Sequence, residues 1–204
     1  MTSDSKIEKT LGYYDSAAQQ YQNLIASEDT PYLAEFITLI AGGGRVLDLG
    51  CGPGHCAGEM ARARLSVDAS DGSAEMVALA TKLPGVRAVQ ALFSDLDETA
   101  IYDAIWANFS LLHAPRGTLP DCLDRIHQAL KPQGLFHIGM KLEQQDGTDR
   151  LGRYYAYYSR DELVTMLADA GFTIVREELG AGKGMAGIEE PWIVIWARSA
   201  PEVL

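Results

Sequence analysis

The sequence predicts an α/β fold built on a mainly parallel sheet. Three observations carry that expectation. From Arg45 onward, short apolar runs rich in strand-forming residues alternate with amphipathic stretches. A glycine-rich turn, "VLDLGCGPG" at 46–54, joins the first such run to the first such stretch. Asp71 then follows the second run, 21 residues beyond Gly50.

Taken in order, the apolar runs place strands at 45–49, 65–70, 86–91, 102–107, 134–140, 172–179 and 192–198. Apolar residues at three- and four-residue spacing place helices at 54–63, 73–82, 117–130 and 160–170. Leu119, Cys122, Leu123, Ile126 and Leu130 form one such stripe, with Gly134 beyond it as a stop. Two further helical segments, 5–24 and 30–41, precede the first strand. The short loop "GAGKGMAG" at 180–187 returns the last strand antiparallel to its predecessor. The expected organisation is an N-terminal helical cap over 1–41 and a main domain over 42–204.

The 204 residues are 47% hydrophobic, enough for one sizeable core. Seventeen basic residues against 28 acidic ones give a net charge of −11, which opposes a polyanionic partner such as nucleic acid. No apolar run reaches the ~18 residues of a membrane span, and the opening "MTSDSKIEK" lacks a signal-like core. A soluble, cytoplasmic chain, monomeric or homodimeric, is expected. Cys51, Cys56 and Cys122 lack zinc or redox spacing and read as reduced thiols, and no His, Asp or Glu cluster has metal-ligand spacing.

The glycine turn puts backbone N–H groups and a helix N-terminus at the carboxyl edge of the sheet, where an anionic or nucleotide-like group binds. Gly50 and Gly52 allow close backbone approach. A dinucleotide fingerprint would need glycine where His55 stands, which opposes an NAD-dependent oxidoreductase. Asp71 is placed to accept hydrogen bonds from both hydroxyls of an adenosine ribose; Asp68 competes but lies inside the strand.

"VLDLGCGPG", followed at this distance by "DGSAEMVALA", resembles the first two motifs of class I S-adenosylmethionine-dependent methyltransferases. "YDAIWANFSLLHAPR" and "ALKPQGLFHIGMK" are similar to that family's fourth and fifth strands with their loops. The resemblance implies a Rossmann-like sheet of order 3-2-1-4-5-7-6, strand 7 antiparallel, with helices on both faces. It implies S-adenosylmethionine as cofactor and S-adenosylhomocysteine as product. Carried over by motif, Gly50, Cys51 and Gly52 face the methionine part, Asp48 organises the loop, Asp71 and Gly72 meet the ribose, and Met76 covers one face of adenine. Leu92 stands where many relatives have an acid near the adenine amine, which leaves adenine to Phe93 and Ser94. Ala107 and Asn108 end the fourth strand beneath the cofactor, and Tyr14, with Tyr21 on the same helical face, closes over the methionine end.

Methyl transfer is an in-line displacement that needs alignment and dryness, and a base only where the nucleophile must lose a proton. His113, in the loop after the fourth strand, is the candidate catalytic base. His55 lies within reach of the cofactor, whereas His127 and His137 fall inside elements and read as structural. Lys141 and Arg153 are candidate substrate-binding cations, with Tyr154, Tyr155, Tyr157 and Tyr158 as wall or lid of a small-molecule acceptor site. "ALFSDLDETAIYDAI" is loosely similar to tellurite-resistance methyltransferases. A cofactor-binding regulatory protein without turnover is the alternative of another class.

Overall fold

The computed structural model describes residues 3–25, 30–142, 145–183 and 187–201. A long helix, α1 (Ser3–Ile25), and a short one, α2 (Leu33–Thr38), precede the sheet. There follow β1 (Arg45–Leu49), α3 (His55–Arg62), β2 (Ser66–Asp71), α4 (Ala74–Ala80), β3 (Val86–Gln90) and β4 (Tyr102–Asn108). The second half holds α5 (Leu119–Ala129), β5 (Leu130–Lys141), the small pair β6 (Gly147–Thr148) and β7 (Tyr154–Tyr155), α6 (Arg160–Asp169), β8 (Thr173–Lys183) and β9 (Glu189–Arg198).

Local chemistry sets several of these boundaries. Ser73 caps α4 by accepting from the Met76 N–H at 3.2 Å, and Ser159 with Glu162 forms a reciprocal capping box on α6. Where the sequence predicts a helix over 30–41, α2 spans only Leu33–Thr38, because Tyr32 before it adopts a left-handed backbone (φ 72°). Leu130, predicted as the last residue of a helix, instead opens β5 by pairing with Tyr102, and a bulge between Tyr102 and Ala104 absorbs the irregularity before Gly134. Much of the predicted 180–187 loop is strand, since β8 runs to Lys183; residues 184–186 lie outside the described residues.

The seven-stranded sheet has the order β3-β2-β1-β4-β5-β9-β8, which is 3-2-1-4-5-7-6 counted by sheet strands. β1 to β5 pair parallel, and β9 runs antiparallel to both β5 and β8. One apolar layer takes Phe36, Ala57, Met60 and Ala80 from α2, α3 and α4; the other takes Leu123, Ile126, Leu163 and Leu167 from α5 and α6. Alternation along β4 serves both layers, with Ala104 and Trp106 on the first side and Ile105 and Ala107 on the second. Trp106 is fully buried, 4.9 Å from the Phe36 ring and stacked on His137 at 3.5 Å. The chain reverses direction across the sheet between β1 and β4, and their carboxyl ends open the crevice in which this class of sheet binds ligands.

Candidate active site

A cavity of about 580 Å³ occupies that crevice, lined from β1, β2, β4, the glycine turn and the inner face of α1. The three turn glycines answer different demands. Gly50 (φ +76°) donates to Ser70 O at 2.8 Å, and a Cβ there would sit 2.3 Å from Ser110 Cβ. Gly50 lines the cavity, and its missing side chain makes room for Ser110, which donates to Leu49 O at 2.6 Å. Gly54 (φ +87°) is a packing glycine, against Leu83 and Ala80 of the α4 end. Gly52 (φ +53°) faces the cavity, its nearest neighbour being the Tyr21 ring at 3.7 Å.

Of the four aspartates that line the cavity, Asp4, Asp48, Asp71 and Asp121, two flank the glycine turn. Asp71, the last residue of β2, accepts from the Gly52 N–H at 2.9 Å on one oxygen and from the Ser73 N–H at 2.8 Å on the other. Each oxygen keeps a lone pair for a further donor. Burial raises this carboxyl above its ordinary value, against the lowering effect of those two N–H groups. Asp48 is 3% exposed and accepts from the Ala57 N–H at 3.0 Å; burial pushes its carboxyl up to about 7. Asp68, the competitor for the ribose role, points elsewhere and pairs with Arg45 and Arg87, each at 2.7 Å.

Cys51, Gly72, Met76, Phe93, Ser94 and Asn108 also line this cavity. His55 does so too, while His127 packs on Phe172 at 5.1 Å. Leu92 lines the wall with no acid in its place: Asp95 is turned away to accept from the Leu92 N–H at 2.8 Å. Ala107 corrects the expectation for the end of β4. It is fully buried in the α5 and α6 layer, and its neighbours Trp106 and Asn108 reach the cavity, because successive strand residues point to opposite faces. Asn108 is oriented from behind. Trp196 Nε1 donates to His137 Nδ1 at 2.7 Å, so His137 carries its hydrogen on Nε2 and donates to Asn108 Oδ1 at 3.0 Å. The Asn108 amide hydrogens are therefore what it presents to a ligand.

A second cavity of about 320 Å³ adjoins the first, and the two share Tyr14, Tyr21, Ile25, Asn108, Phe109 and His113. His113 Nδ1 lies 2.7 Å from Tyr154 O, which accepts only, so the imidazole hydrogen sits on Nδ1. Nε2 then accepts from the Tyr14 hydroxyl at 2.8 Å. Arg153 Nη1 donates to the same Tyr14 oxygen at 3.1 Å. Burial drives His113 down to about 4 and Tyr14 up to about 12, so both are neutral at pH 7.

Lys141 and Arg153 line the second cavity as predicted candidates, but each already holds a carboxylate. Arg153 is 3% exposed and grips Asp149 through Nε at 3.0 Å and Nη2 at 2.6 Å; Lys141 pairs with Glu190. Of the four tyrosines expected as wall or lid, only Tyr155 lines the cavity. Tyr154, Tyr157 and Tyr158 are buried in the core layer, their hydroxyls donating to Asp146, Glu190 and Arg116 O, so they are scaffold rather than lid. Trp192, Phe109, Tyr32 and Glu190 also line the wall and were not singled out from sequence. Among the described residues, no group of three or more His, Cys, Asp or Glu could hold a metal ion, and no helix is long and apolar enough to cross a membrane.

A doubly wound sheet with a carboxylate-lined crevice at its point of reversal is the architecture of the Rossmann-like class, which binds nucleotide cofactors there. Within that class, the chain belongs to the methyltransferase-domain family, whose model matches residues 19–177. The nicotinamide reading is thereby set aside. Among solved structures, the chain is similar to the 1,6-didemethyltoxoflavin-N1-methyltransferase of Burkholderia thailandensis, solved with 1,6-didemethyltoxoflavin and S-adenosylhomocysteine. That match has a TM-score of 0.81 and 24% identity over 98% of this chain and 91% of that one. The DhpI–SAH complex matches with a TM-score of 0.71 and 25% identity, over 98% and 100% of the two chains. A TehB-like S-adenosylmethionine-dependent methyltransferase from Corynebacterium glutamicum matches with a TM-score of 0.69 and 18% identity, over 94% and 99%. Among curated proteins no match is found. The fold is that of the class I S-adenosylmethionine-dependent methyltransferases.

Proposed function

We propose that this chain transfers a methyl group from S-adenosylmethionine to a small-molecule acceptor, releasing S-adenosylhomocysteine. The observation that carries the reading is the pair of adjoining cavities whose common wall holds Tyr14, Asn108 and His113. The residues present fit the cofactor. Asp71 has lone pairs left for a ribose diol, Met76 and Phe93 give apolar surface for a base, and Asp48 offers a carboxyl oxygen toward the amino group of the methionine part. Gly52 leaves its backbone open beside them.

When bound, the cofactor supplies a methyl group on a sulfonium. The chain's part is alignment and proton handling. The cap helix α1 is tied to the main domain where Ser73 Oγ donates to Asp15 at 2.6 Å, and this holds Tyr14 and Tyr21 against the crevice. Tyr14 Oη donates to His113 and accepts from Arg153, which leaves one lone pair for a proton leaving the acceptor. As that proton arrives, the Tyr14 hydrogen passes to His113 Nε2.

The test is isothermal titration of the wild-type chain with S-adenosylmethionine, S-adenosylhomocysteine and NAD in parallel. Binding of the first two alone supports the reading, and binding of NAD alone, or of none, sinks it. Asp71→Ala is expected to weaken S-adenosylhomocysteine by roughly 1.5–3 kcal/mol, the worth of hydrogen bonds to a charged group. Methyl transfer to any acceptor separates an enzyme from a binding protein without turnover.

A further inference from the structure

We propose that the methyl acceptor is an aromatic O–H or N–H acid that enters the second cavity as a neutral molecule. This rests on the methyltransferase reading above and narrows its acceptor to one chemical class.

Seven aromatic rings line the chamber, beside aliphatic surface from Leu24, Ile25, Pro31, Leu112 and Val194. Phe109 and Trp192 meet edge to face at 6.4 Å, Tyr155 lies 4.6 Å from the His113 ring, and Tyr14 and Tyr21 meet at 5.8 Å and 86°. Such walls favour a flat ring by stacking and edge contacts that a saturated ring of the same size does not make. At about 320 Å³ the chamber lies at the low end of the ~300–1,000 Å³ usual for small-molecule sites, which suits a compact guest.

The charges on the wall are compensated from within. Arg153 is held by Asp149, and Lys141 by Glu190, whose other oxygen accepts from the Tyr157 hydroxyl at 2.7 Å. A phosphonate or oxyanion would have to strip one of these carboxylates from its partner, leaving a buried charge alone. Lys183 lies on the exposed rim, where hydration blunts its pull. A neutral guest disturbs neither pair.

The proton route selects for acidity. The acceptor atom loses H⁺ to Tyr14 Oη as Tyr14 gives its hydrogen to His113 Nε2, and gains the methyl group as the carbon–sulfur bond breaks with its electrons staying on sulfur. One positive charge is thus lost from sulfur and one appears on the imidazole, which then releases its proton to solvent. His113, half-buried with its Nδ1–H fixed on Tyr154 O, is a weak base, so the route favours a proton that leaves readily, as from a phenol or ring N–H, over that of an aliphatic alcohol.

The test uses the full chain saturated with S-adenosylhomocysteine. Calorimetric titration compares 1-naphthol, 3-hydroxypyridine and benzimidazole with decahydro-1-naphthol, cyclohexanol, phenylphosphonate and selenite. The ring acids are expected to bind about tenfold or more tighter than the saturated alcohols and the oxyanions, and Trp192→Leu to weaken them by about fivefold while leaving S-adenosylhomocysteine binding unchanged. Ring acids that bind no better than the saturated alcohols, tighter binding of an oxyanion, or ring binding indifferent to Trp192→Leu overturns the proposal. Failure of S-adenosylhomocysteine to bind at all strikes the methyltransferase reading instead.

Discussion

Asp48 offers a test of the site's electrostatics that needs neither cofactor nor acceptor. Its carboxyl is 3% exposed, accepts one backbone N–H, and stands near the charge of Asp71. Burial, with Asp71 adding, lifts it from 3.8 to about 7 in the folded chain. A carboxyl whose folded value lies above its unfolded one binds more protons folded than unfolded between the two values. Stability from this group is therefore present at low pH and lost as pH rises through that window. Between pH 5.5 and the folded value about 1.5 pH units of the window are crossed, worth ~2 kcal/mol at ~1.4 kcal/mol per unit. Asp48→Asn keeps an acceptor for the Ala57 N–H and removes the ionisation. Relative to wild type, the variant should gain about 2 kcal/mol between pH 5.5 and pH 8.5, or roughly 4–8 °C in melting temperature for a chain of this length. Thermal denaturation of both proteins at the two pH values, followed by far-ultraviolet circular dichroism, measures the difference. Parallel stability profiles would refute the argument that Asp48 is a buried, cavity-facing carboxyl.

Tyr14→Phe removes the hydroxyl between Arg153 and His113 and is expected to lower kcat by about 100-fold or more, with the cofactor KM little changed; an unaltered kcat in steady-state assays excludes the relay. With His113 held near 4, chiefly by burial, the base is neutral down to low pH, so kcat at saturating cofactor should stay flat from pH 8 to 5.5 rather than break near 6.5. Gly50→Ala places a Cβ 2.3 Å from Ser110 at φ +76° and should cost about 2 kcal/mol or more of stability, seen in urea denaturation. Gly52→Ala, with only the Tyr21 ring at 3.7 Å, should fold with about 1–2 kcal/mol lost and instead weaken S-adenosylhomocysteine in titration. Trp196→Phe leaves His137 Nδ1 without its donor and should cost about 1–3 kcal/mol, again by urea denaturation.

The cofactor side of the site was legible in the sequence because its residues sit at the ends of elements whose order follows from periodicity. Gly52, Asp71, Met76 and Asn108 fall where strand ends meet helix starts, and the structure gathers them around one cavity. The demand behind Gly50 was not legible, since Ser110, 60 residues away, imposes it through close packing. The acceptor side was less readable for the same reason. Tyr14 and His113 are separated by 99 residues, and no local pattern announces that one will donate to the other. Lys141 and Arg153 were found as cations, while their carboxylate partners Glu190 and Asp149 emerge only when β5 and β9 pair and the β6–β7 turn closes. The dense tyrosines after β5 suggested a lid; all four are buried, and three of them reach carboxylate or carbonyl partners through their hydroxyls, Asp146, Glu190 and Arg116 O.

The most direct measurement is a crystal structure of the chain with S-adenosylhomocysteine. The expected arrangement places the ribose hydroxyls on Asp71, the adenine between Met76 and Phe93, and the sulfur at the wall where Tyr14 and His113 face the second cavity. A complex with the ribose away from Asp71, or with the sulfur turned from that wall, contradicts it.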